Sequence, residues 1–217
     1  MEKLKTIRVA AIGTHGSGKS TFLSALARVL KGAGYVVGTV DELATVSRVY
    51  GLPINQDTTM VAQWWILAAQ TVREIELANS GAFHVILSDR SAIDNPGYAY
   101  LRFGEEAQGH VDAGVHYCKN VFPYNKLFLL KGRNDCLAEN GTRAADPEKM
   151  EESRKFQEGA ESTIMSILDN NKIPYVSLPE HESLAVREKL QLWVAMRELI
   201  PLLKERFPNI RPPLIDM

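Results

Sequence analysis

The feature that most constrains this chain is a glycine loop between a strand pattern and a helix pattern. Residues 7–12 are short, β-branched and mostly apolar, which predicts a buried parallel strand. The loop that follows fits G-x-x-x-x-G-K-[ST] at every fixed position and reads Gly13-Thr14-His15-Gly16-Ser17-Gly18-Lys19-Ser20. Residues 19–31 then place apolar side chains at helical spacing, so the loop lies in the strand-to-helix context that the motif requires.

This loop predicts a binding site for the phosphates of a nucleotide. Glycines let consecutive backbone N–H groups turn inward around an anion, and the following helix directs its positive N-terminus at the same point. We expect Lys19 to reach the β- and γ-phosphates and the Ser20 hydroxyl to hold Mg²⁺. The predicted nucleotide-binding set is the whole loop with Thr21, and His15 is interpreted as a backbone position rather than a catalyst.

Strand and helix patterns alternate along the rest of the chain. Further strands are predicted at residues 35–40, 83–87, 127–130 and 173–178, and further helices at residues 57–79, 152–170 and 183–207. The last helix contains Pro201, where a kink or break is expected. Residues 132–151 are polar and predicted to be irregular. The alternation predicts an α/β fold whose parallel sheet is covered on both faces and binds ligands beyond the carboxyl ends of its strands.

Composition indicates one globular domain without an overall attraction to polyanions. The chain has 217 residues, of which 45% are hydrophobic and 24% are charged, with a net charge of -1. No overall positive field therefore draws it to nucleic acid or an anionic membrane, although a local basic patch is compatible with this total. No apolar run reaches the length of a membrane span, and the N-terminus reads as a first strand rather than a signal peptide. Cys118 and Cys136 fit reduced thiols in the cytosol.

The third predicted strand ends in an acid and an arginine. It runs into Ser88-Asp89-Arg90. A phosphate loop needs a second acidic group to orient Mg²⁺ or its waters, so Asp89 is the predicted metal ligand beside Ser20. Arg90 can fork onto a phosphate or a carboxylate. The alternative is a solvated strand end with a structural ion pair.

An acidic pair, Asp41-Glu42, closes the second predicted strand. A carboxylate near an acceptor hydroxyl can bind it or accept its proton, and Glu42, or else Asp41, is our candidate for that role. The alternative is that both acids begin the next helix as N-cap and first-turn residues. Arg48, about two turns further on, either binds an acceptor phosphate or is simply exposed.

The polar segment after the fourth predicted strand carries two arginines that could close over a triphosphate. A flexible segment with arginines can exclude water and neutralise charge on the group in transfer. The candidates are Arg143, within Asn140-Gly141-Thr142-Arg143, and Arg154. The alternative is a solvated loop followed by an exposed helix face.

The helix predicted at residues 57–79 carries a weaker signal. Gln63 and Gln70 have amides that can read a base edge, and Trp64 has an indole that can stack on a base. Aromatic residues at helical spacing are more often part of a core, so we expect Trp64 and Trp65 to be packed inside.

Motifs of other phosphate-loop classes are missing from the sequence. The guanine-binding element Asn-Lys-x-Asp has no match, because Asn125-Lys126-Leu127-Phe128 lacks the acid. The third strand is followed by Asp89-Arg90-Ser91-Ala92 rather than Asp-x-x-Gly, and there is no Leu-Ser-Gly-Gly-Gln signature of transport ATPases. These absences favour phosphoryl transfer to a small molecule.

In their order, these motifs resemble those of the nucleoside and nucleotide kinases in the phosphate-loop (P-loop) superfamily. The likeness runs from about residue 7 to residue 178 and points to ribosylnicotinamide-kinase-like ATPases and to thymidylate and deoxynucleoside kinases. The first group has a motif similar to Asp-Arg-Ser-x-x-Asp-x-x-x-Tyr after its third strand, which Asp89 to Asp94 matches, with Tyr98 at the fitting distance. Asn140 to Arg143 keeps the Gly and Arg of that group's Asp-Gly-x-Arg, whereas Asp41-Glu42-Leu43-Ala44 lacks the Glu-Pro-Gly-Gly of thymidylate kinases.

The resemblance implies a single P-loop NTPase domain over residues 1–217, a three-layer sandwich with a five-stranded parallel sheet. A lid at about residues 132–155 and a C-terminal helix and tail at about 183–217 would complete it. The implied activity is ATP- and Mg²⁺-dependent phosphoryl transfer to a small acceptor, most often a nucleoside or nucleotide. From the composition we expect a cytoplasmic protein without a membrane partner, and the net charge does not favour a nucleic-acid partner. The implied roles give Lys19 and Ser20 to ATP and Mg²⁺, Asp89 to the metal, Arg90 to phosphates, and Arg143 with Arg154 to the lid.

Two other functions stay open from the sequence. One is an ATP-binding regulatory module without a small acceptor, and the other is a nucleic-acid end kinase, against which the near-zero net charge counts. The acceptor, the choice between ATP and GTP, and the oligomeric state, with a homodimer as one option, are not fixed. The segment at residues 103–120 is longer and more polar than the resemblance implies, which is compatible with a different acceptor pocket, and its role is also not fixed.

Overall fold

The protein is built from five strands and seven α-helices in the part described by a computed structural model, residues 6–132 and 147–213. The strands are β1 (Ile7–Ile12), β2 (Val37–Val40), β3 (Val85–Asp89), β4 (Lys126–Leu129) and β5 (Val176–Ser177). The α-helices are α1 (Lys19–Gly32), α2 (Leu43–Ser47), α3 (Met60–Asn79), α4 (Asp94–Phe103), α5 (Gln108–His116), α6 (Pro147–Asn170) and α7 (Leu184–Arg206).

The strands form one parallel sheet in the order β2-β3-β1-β4-β5. Strand β1 is central and every residue in it is buried. Because the chain leaves β1 towards β2 and leaves β3 towards β4, the connections diverge where β1 and β3 lie side by side, which is where open α/β sheets bind ligands. Ala11 pairs with Asp89 at this point, so the register brings the end of β3 beside the glycine loop.

Side chains of β1 alternate between two cores, one on each face of the sheet. Ile7 and Val9 face the core formed with α1 and α7. Ala10 and Ile12 face the core formed with α3, α4, α5 and α6. The predicted α/β sandwich with a five-stranded parallel sheet is therefore confirmed.

Several predicted boundaries differ from the structure, and two of the differences have a clear cause in a proline or a helix cap. Strand β5 keeps only two of the six residues expected at 173–178, since Pro174 cannot donate to a strand ladder. Helix α3 begins three residues later than expected because the Thr59 hydroxyl caps it, accepting from Ala62 N at 3.2 Å. Helix α7 runs through Pro201 without a break.

Two stretches are more helical than the sequence suggested. The expectation of an irregular segment to residue 151 is wrong at its end, because α6 already begins at Pro147, a residue type suited to the first helical position. The polar stretch at 103–120 contains α5 and most of a π-helical turn, Tyr117–Val121, and α4 was not predicted. None of the described helices has the length and apolar character of a membrane span.

Helix α5 carries a buried histidine whose ring nitrogens have no hydrogen-bond partner among the described residues. His110 is 1% exposed and packs edge-on against Trp64, with ring centroids 4.6 Å apart. Burial lowers the pKa of His110 from 6.5 to about 4. The unfolded chain therefore binds a proton at this residue more strongly than the folded chain does.

We predict that His110 makes the protein less stable as the pH falls. The loss of unfolding free energy should begin below about pH 6.5 and end near pH 4, and the shift corresponds to at most about 3 kcal/mol. Denaturant unfolding of His110→Leu should show a flatter dependence across this window. His116→Leu, at an exposed position of the same helix, should keep the wild-type slope, and equal slopes in all three proteins would contradict the prediction.

Candidate active site

Three glycines of the loop adopt backbone conformations that residues with a Cβ rarely adopt. Gly13, Gly16 and Gly18 have φ angles of 130°, 70° and 89°. A Cβ on Gly13 would also collide with the carbonyl oxygen of Leu130 at the end of the neighbouring strand. Gly18 is the N-cap of α1, so the loop leads directly into the N-terminus of that helix.

Helix α4 holds the first half of the loop. The Asp94 carboxylate accepts a hydrogen bond from Gly13 N at 2.9 Å, and the Tyr98 hydroxyl accepts one from His15 N at 3.1 Å. Asp94 also accepts from Ser91 N at 2.7 Å and from Ser91 Oγ at 2.9 Å. The Asp-Arg-Ser-x-x-Asp pattern thus joins the turn after β3 to the loop after β1.

Two further helices contact the loop through residues that the sequence did not reveal. Gln157 of α6 donates to the carbonyl of His15 at 2.6 Å, and buried Arg187 of α7 donates to the carbonyl of Ser17 at 3.0 Å. Both partners are more than a hundred residues away along the chain, so no local pattern points to either contact.

Lys19 is buried within the loop that it is predicted to serve. Its Nζ donates to Thr14 O at 2.5 Å and to Ser17 Oγ at 3.2 Å. Burial, followed by the charge of Arg90, lowers the pKa of Lys19 to about 8. The side chain therefore remains cationic at neutral pH and can respond to phosphate oxygens.

The pair predicted to hold the metal lies together. The Ser20 hydroxyl donates to Asp89 Oδ2, and Asp89 Oδ1 is buried with no hydrogen-bond partner among the described residues. A free carboxylate oxygen beside a hydroxyl fits Mg²⁺, which takes few protein ligands and keeps waters and phosphate oxygens. The described residues contain no cluster of three or more His, Cys, Asp or Glu that could hold a metal.

Glu42 and Arg90 form an ion pair at the edge of the site. Arg90 Nε donates to Glu42 Oε1 at 2.6 Å, Arg90 Nη2 lies 2.5 Å from the same oxygen, and Arg90 Nη1 donates to Gly13 O at 3.3 Å. The Arg90 charge lowers the pKa of Glu42 to about 2. Glu42 occupies the N-cap position of α2 without capping it, and Asp41 is exposed.

A cleft of about 270 Å³ brings most of these groups together. Its lining residues come from the loop, the start of α1, and the ends of β2 and β3: His15, Gly16, Gly18, Lys19, Ser20, Thr21, Glu42 and Asp89. The structure therefore brings together at one opening Lys19, the Ser20–Asp89 pair and Glu42, which the sequence assigned to a triphosphate, a metal and an acceptor.

Other candidate residues lie elsewhere or outside the described part. Arg154 is on α6, where it pairs with Glu151 at 2.8 Å and lies 3.6 Å from Glu158, and Arg143 falls outside the described residues. Arg48 is exposed in a short turn after α2. Arg154 thus forms its ion pairs within its own helix, and its role in a lid stays a prediction.

The expectation that Trp64 is packed in the core is wrong. Trp64 is 45% exposed because it lies at the margin of the buried face of α3. Gln63 is buried, donates to Thr58 Oγ1 at 2.8 Å, and has an Oε1 without a hydrogen-bond partner among the described residues. The beginning of α3 therefore carries a buried amide oxygen without a partner among the described residues and a half-exposed indole that contacts His110.

A comparison of the sequence with known protein families identifies the family of this chain. Residues 8–187 match the model of a family described as an AAA domain. The chain belongs to the AAA domain family. The match includes the glycine loop, the turn after β3 and α6, and it ends at Arg187. A search of the curated proteins by sequence gives no match.

Solved structures with the fold of this AAA domain protein include two kinds of protein. NadR in complex with NR is 14% identical with a TM-score of 0.67, and the alignment covers 98% of this chain and 53% of that one. NadR with NAD and AMP-PNP is 15% identical with a TM-score of 0.62, covering 93% and 50%. Deoxyadenosine kinase from M. mycoides, with the products dCMP and dCDP, is 16% identical with a TM-score of 0.61, covering 90% and 100%.

The AAA domain protein thus spans about half the length of the NadR chains and all of the deoxyadenosine kinase chain. At these identities the likeness establishes the fold. The resemblance to P-loop nucleoside and nucleotide kinases is confirmed at that level.

We predict that Asp89 carries the metal-dependent part of nucleotide binding. Asp89→Asn keeps the volume of the side chain but removes the charge opposite Ser20. Titration calorimetry should show MgATP affinity reduced by about tenfold or more, with affinity for metal-free ATP little changed. Asp112→Asn, at an exposed position of α5, is the control. An unchanged MgATP affinity in Asp89→Asn would remove Asp89 from the metal site.

Proposed function

We propose that this protein transfers the γ-phosphoryl group of ATP to a hydroxyl of a small acceptor, a nucleoside or a nucleotide. The observation that supports the proposal most is the common cleft of Lys19, the Ser20–Asp89 pair and Glu42, whose carboxylate is paired with buried Arg90. Phosphoryl transfer needs little covalent help from a protein, and it depends on positioning and on stabilising charge. These groups supply both.

The loop and α1 would bind ATP, the phosphoryl donor. Backbone N–H groups and the N-terminus of α1 would bind the phosphates, and Lys19 would exchange its contact with Thr14 O for the β- and γ-phosphate oxygens. Ser20 and Asp89 would hold Mg²⁺, which neutralises charge on the phosphates when bound. Arg143 and Arg154 remain the proposed lid arginines.

On the acceptor side, Glu42 acts as an orienting group. A carboxylate whose pKa is about 2 is a poor proton acceptor at neutral pH, but it accepts a hydrogen bond well. We therefore assign Glu42 to binding and aligning the acceptor hydroxyl while Arg90 holds the carboxylate in place. If the acceptor carries a phosphate, Arg90 and Arg48 would bind it.

A nucleoside-like acceptor is supported by the fold relatives and by α3. One relative was solved with NR and another is a deoxyadenosine kinase solved with dCMP and dCDP. The buried Gln63 amide and the half-exposed Trp64 ring offer hydrogen bonding and stacking to a base. AMP-PNP in a third structure supports ATP as the donor. A cytoplasmic location and a homodimer belong to the same proposal.

We predict that Lys19→Ala abolishes turnover and preserves the fold. ADP release with ATP and Mg²⁺ should be stimulated by one member of a panel of nucleosides, nucleoside monophosphates and ribosylnicotinamide. In Lys19→Ala that rate should fall by about 100-fold or more, because Lys19 supplies charge to the transferring phosphoryl group. Circular dichroism should be unchanged. Full activity in the variant would overturn the proposal, and tight ATP binding without any stimulation would favour a regulatory module.

Amide substitutions at the end of β2 should show which of the two candidate acids contacts the acceptor. We expect Glu42→Gln to lower kcat/KM for the acceptor by about 100-fold, since an amide lacks the charge that pairs with Arg90 and accepts only a weaker hydrogen bond from the hydroxyl. Asp41→Asn should have a much smaller effect because Asp41 is exposed. Steady-state rates for both variants give the comparison, and the reverse ranking would assign the acceptor contact to Asp41.

A further inference from the structure

A buried ion pair lies behind the site, on the face of the sheet that α3 covers. Arg8 of β1 and Glu74 of α3 meet with Nη2 and Oε2 2.5 Å apart, and their side chains are 5% and 0% exposed. The Arg8 guanidinium also stacks over Phe122 at 3.6 Å from the ring centroid. Ion pairs this deep are costly to desolvate and are weak evidence for stability alone, so their further contacts are informative.

The Glu74 carboxylate collects hydrogen bonds from three more side chains. Gln70 Nε2 donates to it at 2.7 Å, Tyr117 Oη at 2.9 Å and Tyr124 Oη at 2.8 Å. Burial and the nearby Glu74 charge raise the pKa of both tyrosines, so their hydroxyls stay protonated and act as donors to the carboxylate. All of these side chains are therefore oriented by one anion.

Two of these side chains reach the turn that follows β3. Gln70 Nε2 donates its second hydrogen to Arg90 O at 3.2 Å, and the Tyr124 hydroxyl accepts from Ala92 N at 3.0 Å. A carboxylate and a carbonyl both accept only, so the Gln70 nitrogen, and not its oxygen, must face Glu74 and Arg90. Glu74 thereby fixes the orientation of the group that holds Arg90 O.

Arg90 needs this support because its backbone lies in a rarely used region. Its φ angle is 82°, a left-handed conformation that disfavours side chains with a Cβ. Its N–H donates to Ala11 O at 3.0 Å and its carbonyl accepts from Gln70, so the peptide groups on both sides of this angle are held. With the backbone so fixed, the guanidinium reaches Glu42 and Gly13 O.

We infer that Glu74 is a positioning residue that acts through Gln70 and Tyr124 to hold Arg90 in its left-handed conformation and its guanidinium on Glu42. The link is a series of hydrogen bonds that runs from a buried charge on α3 to a residue of the candidate active site. It rests on the proposed function only for what Arg90 does to a phosphate or an acceptor, since the held geometry exists without substrate.

The test measures Arg90 directly in the full chain. In a ¹H–¹⁵N spectrum, the Nε–H signal of Arg90 is assigned by its loss in Arg90→Lys. Gln70→Met keeps the side-chain length, leaves the Arg8–Glu74 pair intact and removes the link to Arg90 O. The matched control is Gln191→Met, because Gln191 is also buried and donates to a backbone carbonyl, that of Pro179, from a different helix.

We expect Gln70→Met to shift the Arg90 Nε–H signal and to speed its exchange with water by about tenfold, because the hydrogen bond to Glu42 opens more often. Gln191→Met should leave that signal in place. The double variant Arg8→Met/Glu74→Met removes both buried charges together and should reproduce the Gln70→Met signal. An Arg90 signal that is unchanged in Gln70→Met, with a backbone spectrum otherwise like that of the wild type, would overturn the inference.

Activity is a separate readout that tests the proposed function. With the acceptor that stimulates ADP release, Gln70→Met should lower kcat by about tenfold and change the KM for ATP by less than about twofold. A shifted Arg90 signal with unchanged kcat would support the positioning of Arg90 and count against its proposed catalytic role. If no acceptor stimulated ADP release, the result would count only against the proposed kinase activity, because the Arg90 signal tests the positioning of Arg90 without turnover.

Discussion

One buried carboxylate, that of Asp94, joins the two central strands at the end of the sheet where the site is formed. It accepts from Gly13 N and from both the N–H and the hydroxyl of Ser91, and it is fully buried. Burial raises the pKa of Asp94, while Arg90 and Lys19 act in the opposite direction. Without this acceptor, the glycine loop and the turn after β3 would each leave a buried N–H unsatisfied, and such groups are expensive.

The pKa values of Glu42 and Lys19 depend on the charges of the neighbouring groups in the site. Arg90 lowers the pKa of Glu42 and also contributes to lowering that of Lys19, while Glu42, Asp89 and Asp94 act to raise the pKa of Lys19. Phosphates entering the loop would add negative charge beside Lys19 and favour its cationic form. The cleft therefore already holds both signs of charge, and Lys19 is the group whose present contact, with Thr14 O, an anionic ligand would replace.

Local sequence was enough for the glycine loop, the strand-end acids and the alternation of strands and helices, because each rests on short-range chemistry. The boundaries of β5 and α6 were misjudged through the effects of single prolines. The contacts of Gln157 and Arg187 with the loop could not be predicted, since they depend on how distant helices pack. Arg8 lies within the mostly apolar strand pattern of residues 7–12, and its partner Glu74 becomes apparent only when α3 lies against β1.

Helix α3 connects two parts of the site that the sequence treated separately. Near its N-terminus it carries Gln63 and Trp64, which would face a base, and two turns later it carries Gln70, which holds Arg90. Seven residues of helix span about 10 Å, a distance that a rigid helix keeps constant. Under the proposed function, an acceptor bound at Gln63 would thus be held in fixed register with Arg90, so recognition of its base and alignment of its hydroxyl would depend on the same helix.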